Sequence, residues 1–264
     1  MTTHTYGPGP IKGYDIGPIP MEAAFTSDFP LAAGIGAADV QDIVDKQEVE
    51  RRVMDVRPGM YAKYMPSRID EAAGRHYTGG RYLFETWADV VEYERFTSQE
   101  LEFEPGVKFW SRPFFLDVER FVWRVAGAHN FKALDAHHVS RFERFRYDGD
   151  GGDGGAEAAL ERAWGALRDE AEARGLAAVW LLHQPEQRLI GLHTVASRAT
   201  PADLEAAPSL GALLPGSLAP ERYFDRSSRI LSLWLPKSRL AGGAPSAYPS
   251  APLLPLPSVA AQEV

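Results

Sequence analysis

Ala156-Glu-Ala-Ala-Leu-Glu-Arg-Ala-Trp-Gly-Ala-Leu-Arg-Asp-Glu-Ala-Glu-Ala-Arg174 is followed by Gly175, by Leu176-Ala-Ala-Val-Trp-Leu-Leu-His-Gln184, by Pro185-Glu-Gln187 and by Arg188-Leu-Ile-Gly-Leu-His-Thr-Val-Ala196. Leu160, Ala163, Trp164, Leu167 and Ala171 recur at helical spacing, and Gly175 is a helix stop. The two runs after it are rich in β-branched and apolar residues, and a short polar turn joins them as a hairpin. Pairing Gln184 with Arg188 places Val179, Leu181, His183, Leu189, Gly191 and His193 on one face, since strand side chains alternate. Trp180, Leu182, Ile190, Leu192 and Thr194 then share the other face, which the helices should cover. His183 and His193 would lie about 13 Å apart on the first face, too far for one metal.

Outward from this core, Val139 to Tyr147 reads as a strand. Pro201 to Leu213 reads as a helix with Thr200 as its cap, and Ser227 to Leu235 as a last strand. Upstream, Asp39 to Met54 has a helical stripe in Val40, Ile43, Val44 and Val53. Gly59 to Pro66 and Arg81 to Glu85 read as strands, with His76 to Gly80 as a turn between them. Trp87 to Phe96 is a helix capped by Thr86, and Glu119 to His129 is a strand. Each cycle therefore runs strand–helix–strand–strand–helix–strand, with the first strand supplied from before Asp39. The expected fold class is α+β, two fused ferredoxin-like units forming an α+β barrel within one chain. The expected divisions are a Pro-rich arm over 1–38, units over 39–135 and 136–236, and a Pro/Ala-rich tail over 237–264.

Composition narrows the chemistry. The chain has 264 residues, 24 glycines, 20 prolines and no cysteine, so disulfides, thiolate metal sites and cysteine nucleophiles are excluded. A formal charge of −8 argues against a nucleic-acid partner. No apolar run reaches membrane-spanning length, and the N-terminal residues lack the pattern of a signal peptide, so a cytoplasmic location is expected. Prolines concentrate in the two ends, which read as extended. In the tail, Leu253, Leu254 and Leu256 could wrap onto a partner subunit, as in a homodimer, or the tail could simply be mobile.

Several constellations carry chemistry. His183 and His193 suit acid–base roles along a flat substrate, although each also suits a half-buried structural histidine. Arg124, in an apolar strand beside Trp123, could hold a phenolate or a peroxide anion; a structural pair with Glu119 or Glu143 would serve equally. The segment Val107 to Leu116 is aromatic. Phe109, Trp110, Phe114 and Phe115 could form a lid over a planar ligand or a plug. Tyr61 and Lys63 on one strand, and Tyr82 and Phe84 on the next, extend the set of substrate contacts. His129, His137 and His138 cluster with Asp135, but without a fixed ligand spacing, so no metal site is expected. His129 could instead touch substrate. Gly149-Asp-Gly-Gly-Asp-Gly matches a dinucleotide fingerprint in letters only, because Asp148, Asp150 and Asp153 would repel a pyrophosphate.

The run Tyr82-Leu-Phe-Glu-Thr-Trp-Ala-Asp-Val-Val-Glu-Tyr93 resembles the strand-to-helix step of antibiotic-biosynthesis-monooxygenase-like proteins, the dimeric α+β barrel superfamily. A fused pair of such units with Pro-rich ends also resembles ring-opening oxygenases of angucycline-type polyketide pathways. The resemblance implies an oxygenase that oxidises a phenolic or quinol polyketide with O2. It would work either without a metal or with reduced flavin, which a flavin reductase partner would supply. Catalytic roles then fall to His183, His193 and Arg124, and substrate contacts to Tyr61, Lys63, Tyr82, Phe84, Trp110, Trp123 and His129. The same fold leaves open a haem enzyme like the chlorite dismutase group, with His129, His137, His183 or His193 as axial ligand. It equally leaves open a non-oxidative polyketide cyclase and a simple ligand carrier.

Overall fold

The structure is a computed structural model that describes residues 16–35, 57–70, 74–132, 138–197 and 199–234. The helix expected over Asp39 to Met54, the loop residues Asp135 and His137, and the C-terminal tail lie outside the described residues. The fold is α+β. Two compact units share it. Among the described residues, the first takes 25–122 with 230–234, and the second takes 16–24 with 123–229.

In the first unit, β2 (Ala23–Pro30), β3 (Met60–Asp70) and β4 (Arg75–Phe84) form an antiparallel sheet with β4 in the middle; β1 (Gly17–Pro18) belongs to the second unit. His76 to Gly80, expected as a turn, is part of β4, because β3 pairs with its first three residues, Ile69 with His76, Arg68 with Tyr77 and Ser67 with Thr78, and again just past it, Tyr64 with Arg81. Helix α1 (Trp87–Gln99) begins at Thr86, whose hydroxyl accepts from the Asp89 amide while Asp89 accepts from the Thr86 amide. Both orphan donors at that end are satisfied, so the helix starts where the sequence reading puts it. Tyr93 of α1 packs on Phe25, Tyr82 and Phe84. A small antiparallel pair follows, β5 (Glu102–Glu104) with β6 (Val107–Lys108), and a short 3-10 turn over Phe109–Ser111.

In the second unit, β7 (Glu119–Asn130), β8 (His138–Tyr147), β9 (Ala178–Gln184), β10 (Leu189–Ser197) and β11 (Pro220–Trp234) pair antiparallel in the order β7–β9–β10–β8–β11. Helix α2 (Gly155–Ala173) connects β8 to β9, and α3 (Pro201–Ala206) lies between β10 and β11. The strands β8 to β11 thus stand in the order fourth, first, third, second. The expected long helix from Pro201 stops at Ala206, just before Pro208, and resumes only as a 3-10 turn over Leu210–Leu213. Among the described residues, no helix is long and apolar enough to cross a membrane.

One face of this second sheet is the hydrophobic core. Val139, Phe145, Val179, Leu181, Ile190 and Leu192 pack there with Leu160, Leu167 and Ala171 of α2. At the bulge in β7, Gly127 admits the Trp164 ring: a Cβ at Gly127 would lie 2.2 Å from it. Only a residue without a side chain lets α2 approach the sheet this closely. Gly127→Ala is expected to lower unfolding stability by about 1–3 kcal/mol through overpacking. Gly165→Ala, at a helical position with open space around it, should raise it by about 0.4–1 kcal/mol. Urea unfolding of the two variants checks both signs.

Candidate functional site

The hairpin register settles which side chains can act together. Leu189 pairs with Gln184, Leu192 with Leu181 and His193 with Trp180. The sequence reading paired Arg188 with Gln184, and the difference is one residue. Its cause is the turn. Arg188 belongs to the loop, with φ of 55°, and its amide donates to the Pro185 carbonyl at 3.1 Å. The loop is therefore four residues long rather than three. The Arg188 guanidinium holds it there by donating to the carbonyls of Tyr147 (2.9 Å), Gly149 (2.8 Å) and Asp148.

A shift of one residue exchanges the faces of one strand relative to the other. His183 and His193, expected on a shared face, lie on opposite faces. His183 falls on the side of α2, level with Val179, Leu181, Ile190 and Leu192, and its Nε2 is 2.9 Å from the Tyr147 hydroxyl. Burial lowers its pKa, with Arg124 adding to the effect and Glu157 and Glu186 opposing it.

Along the opposite face, alternation and register bring together Trp123 of β7, Trp180 of β9, His193 of β10, Phe142 and Arg144 of β8 and Phe224 of β11. This is the candidate site. His193 is completely buried; its ring lies 4.4 Å from Trp180 and 6.2 Å from Phe142, measured between centroids. Phe142 also meets Trp123 at 6.2 Å and Phe224 at 6.3 Å. The Arg144 guanidinium, equally buried, lies 3.8 Å over the Phe224 ring. Gly191 makes room for Phe142, since a Cβ there would come within 3.3 Å of its ring. An imidazole and a guanidinium thus sit among four large aromatic rings, while the polar Ser140, Ser228 and Asn130 occupy the same buried face.

Of the ten residues expected from sequence, two reach this face: His193 and Trp123. Arg124 pairs with His183 on the other face, half exposed, and it lies 3.9 Å from the Glu186 carboxylate. His129 lies on that face too, against the Phe131 ring, with its pKa lowered by partial burial and by Arg168 of α2. The other five belong to the first unit, where Tyr61 is buried in β3. Lys63 lies 5.4 Å over the Tyr82 ring, and Tyr82 and Phe84 are part of the packing under α1. Trp110 packs on Phe25, Phe29, Phe109 and Phe115, so this aromatic segment joins the packing of the first unit. Phe142, Arg144, Trp180 and Phe224 were missed. The strand His138-Val-Ser-Arg-Phe-Glu-Arg-Phe-Arg-Tyr147 carries the signal, because alternation alone puts Phe142 and Arg144 together. Among the described residues, no three His, Asp or Glu side chains converge on a point that could hold a metal ion.

No family model matches this sequence, and no curated protein does. Solved structures do. One is a Fusobacterium nucleatum protein provisionally named a monooxygenase, at 7% identity and a TM-score of 0.51, covering 80% of this chain and 91% of that one. Another is named an anthrone oxidase-like protein, at 14% identity and a TM-score of 0.51, covering 89% of this chain and 99% of that one. At these identities the likeness is one of fold.

The burial of His183 has a pH consequence. Its folded pKa is below the ordinary value of about 6.5, so the folded chain resists a proton that the unfolded chain accepts. The stability held by neutral His183 is complete above about pH 6.5 and is lost as pH falls below it. His183→Asn should therefore lose less stability than wild type between pH 7 and pH 5, measured by urea unfolding at each pH.

Proposed function

We propose that the protein is an oxygenase that oxidises an electron-rich polycyclic phenol or anthrone with O2, using the buried face around His193. The observation that carries this reading is the pairing of a buried imidazole and a buried guanidinium with Trp123, Phe142, Trp180 and Phe224 on one sheet face. Flat rings stack on such walls, and exclusion of water strengthens the electrostatics of the two polar groups. The fold neighbour named as anthrone oxidase-like supports the same substrate type. The two units are taken as ferredoxin-like halves, which agrees with the strand order of the second.

His193 acts as general base, removing a proton from the substrate's phenol or activated CH2. Arg144 stabilises the oxyanion that results. The anion passes an electron to O2, and the two radicals combine as a peroxide on carbon. Loss of water then leaves a carbonyl. In sum, CH2 plus O2 gives C=O plus H2O: one oxygen atom enters the product, the other leaves as water, and the substrate supplies all four electrons. This balance needs neither metal nor flavin, which favours the cofactor-free alternative. Of the histidines offered for haem, His183 has its Nε2 engaged by Tyr147, and His193 is wedged beside Trp180.

The test is O2 consumption and quinone formation from anthrone by the purified protein. His193→Ala and His193→Asn should each lower kcat by about 100-fold or more, and Arg144→Met by a similar factor. His183→Asn, on the far face, should keep most of the activity. Full turnover in a folded His193→Asn protein would remove the base from the mechanism. A rate that depends wholly on added FMN and a flavin reductase would replace the direct reaction by a flavin-driven one.

A further inference from the structure

Two serines share the row of the sheet next to His193. Ser140 of β8 stands directly across from Ser228 of β11, with Val195 of β10 on its other side. The next row holds Phe142, with Arg226 across from it on β11 and His193 across from it on β10. The row after that holds Arg144 across from Phe224. Directly opposed residues share a face, as do residues two apart on one strand. Ser140, Phe142 and Arg144 therefore succeed one another along the buried face at intervals of about 7 Å. The two serines lie on one side of His193, and Arg144 lies on the other.

Both serines are buried. The Cβ atoms of opposed residues are about 4.5–5.5 Å apart, so the two hydroxyls can converge on a single small group. Each hydroxyl donates one hydrogen bond and accepts two. Even when bonded to each other, the pair keeps one donor and three acceptors. The pair is neutral, and it suits a ligand that both accepts and donates. A peroxide on carbon is such a group, because its distal oxygen carries a proton as well as lone pairs.

We propose that Ser140 and Ser228 receive this peroxide and assist the loss of water from it. The role rests on the oxygenase reading and adds two catalytic residues to it. With the substrate oxyanion directed to Arg144 and the reacting carbon beside His193, O2 adds on the side of the serines. His193 then takes the remaining proton from that carbon. The C–H electron pair becomes the second bond of the carbonyl, the O–O bond breaks, and its electron pair leaves on the distal oxygen as hydroxide. The serine hydroxyls donate to that oxygen as its charge develops. The proton held by His193 converts the hydroxide to water.

The experiment follows a single turnover of anthrone by wild type, by the double variant Ser140→Ala, Ser228→Ala, and by Ser140→Thr. Samples are quenched into triphenylphosphine, which reduces a hydroperoxide to its alcohol. Wild type should give quinone with little alcohol. In the double variant, quinone formation should slow about 100-fold, more than O2 uptake does, and the alcohol should be trapped in place of quinone. Ser140→Thr, which keeps the hydroxyl, should restore quinone as the product. If the double variant does not fold, Ser140→Ala and Ser228→Ala alone should each give a smaller rise in alcohol. Quinone formation at the wild-type rate with no trapped alcohol, in a folded double variant or in both single variants, overturns the role and leaves the oxygenase standing. No O2 uptake by the wild type removes the oxygenase reading, and this role with it.

Discussion

The left-handed backbone at Arg188 decides which residues of the second unit share a face. A non-glycine residue in this region is disfavoured by about 1 kcal/mol or more. Here it is held by a side chain that donates to the carbonyl of Tyr147 at the end of β8 and to those of Asp148 and Gly149 just after it. The turn and the following loop therefore stabilise each other. Were Arg188 to join the strand instead, β10 would shift by one residue against β9. Ile190 and Leu192 would then stand beside Trp180, and His193 beside Val179.

The strands of this sheet do two jobs through adjacent residues. Val179 faces α2 and Trp180 faces away; Leu192 and His193 divide in the same manner. The face toward α2 is almost wholly aliphatic and draws its stability from burial of apolar surface. The opposite face is buried as well, yet it carries imidazole, guanidinium, hydroxyl and amide groups. Buried polar groups have to be partnered to be tolerated, so such a face demands more specific placement than an aliphatic core. That demand is the physical reason for giving it a chemical reading.

Much of the fold was legible. Apolar spacing in Leu160, Trp164 and Leu167 gave α2, and Thr86 and Thr200 gave the caps of α1 and α3. Period-two patterns gave β8, β9 and β10 within two residues of their ends. The site was less legible, because it depends on pairing rather than on each strand alone. The alternation within β9 and within β10 was correct, but the offset between them turned on one backbone angle at Arg188, a residue with no intrinsic preference for a positive φ. For the same reason, Trp180 was placed under the helices. His76 to Gly80 read as a turn from its glycines, although cross-strand pairing holds it extended. Tyr82 and Phe84 illustrate a different limit: aromatic residues on a strand serve a core and a binding wall equally well until the covering helix is known.

The two units treat a buried arginine in contrasting ways. In the first, Arg81 donates to Asp28 at 2.6 Å and to the carbonyls of Ser27 and Gly80, so its charge is matched by groups of the chain itself. Removing either member of such a pair leaves a lone buried charge, which makes it a structural element. In the second, Arg144 lies against the Phe224 ring, and Arg146 and Arg226 repeat the stacking on Tyr223 and Phe224. A ring face orients a guanidinium without adding a hydrogen-bond acceptor, so the second unit fixes the direction of these side chains by stacking, where the first does so through carboxylate and carbonyl oxygens.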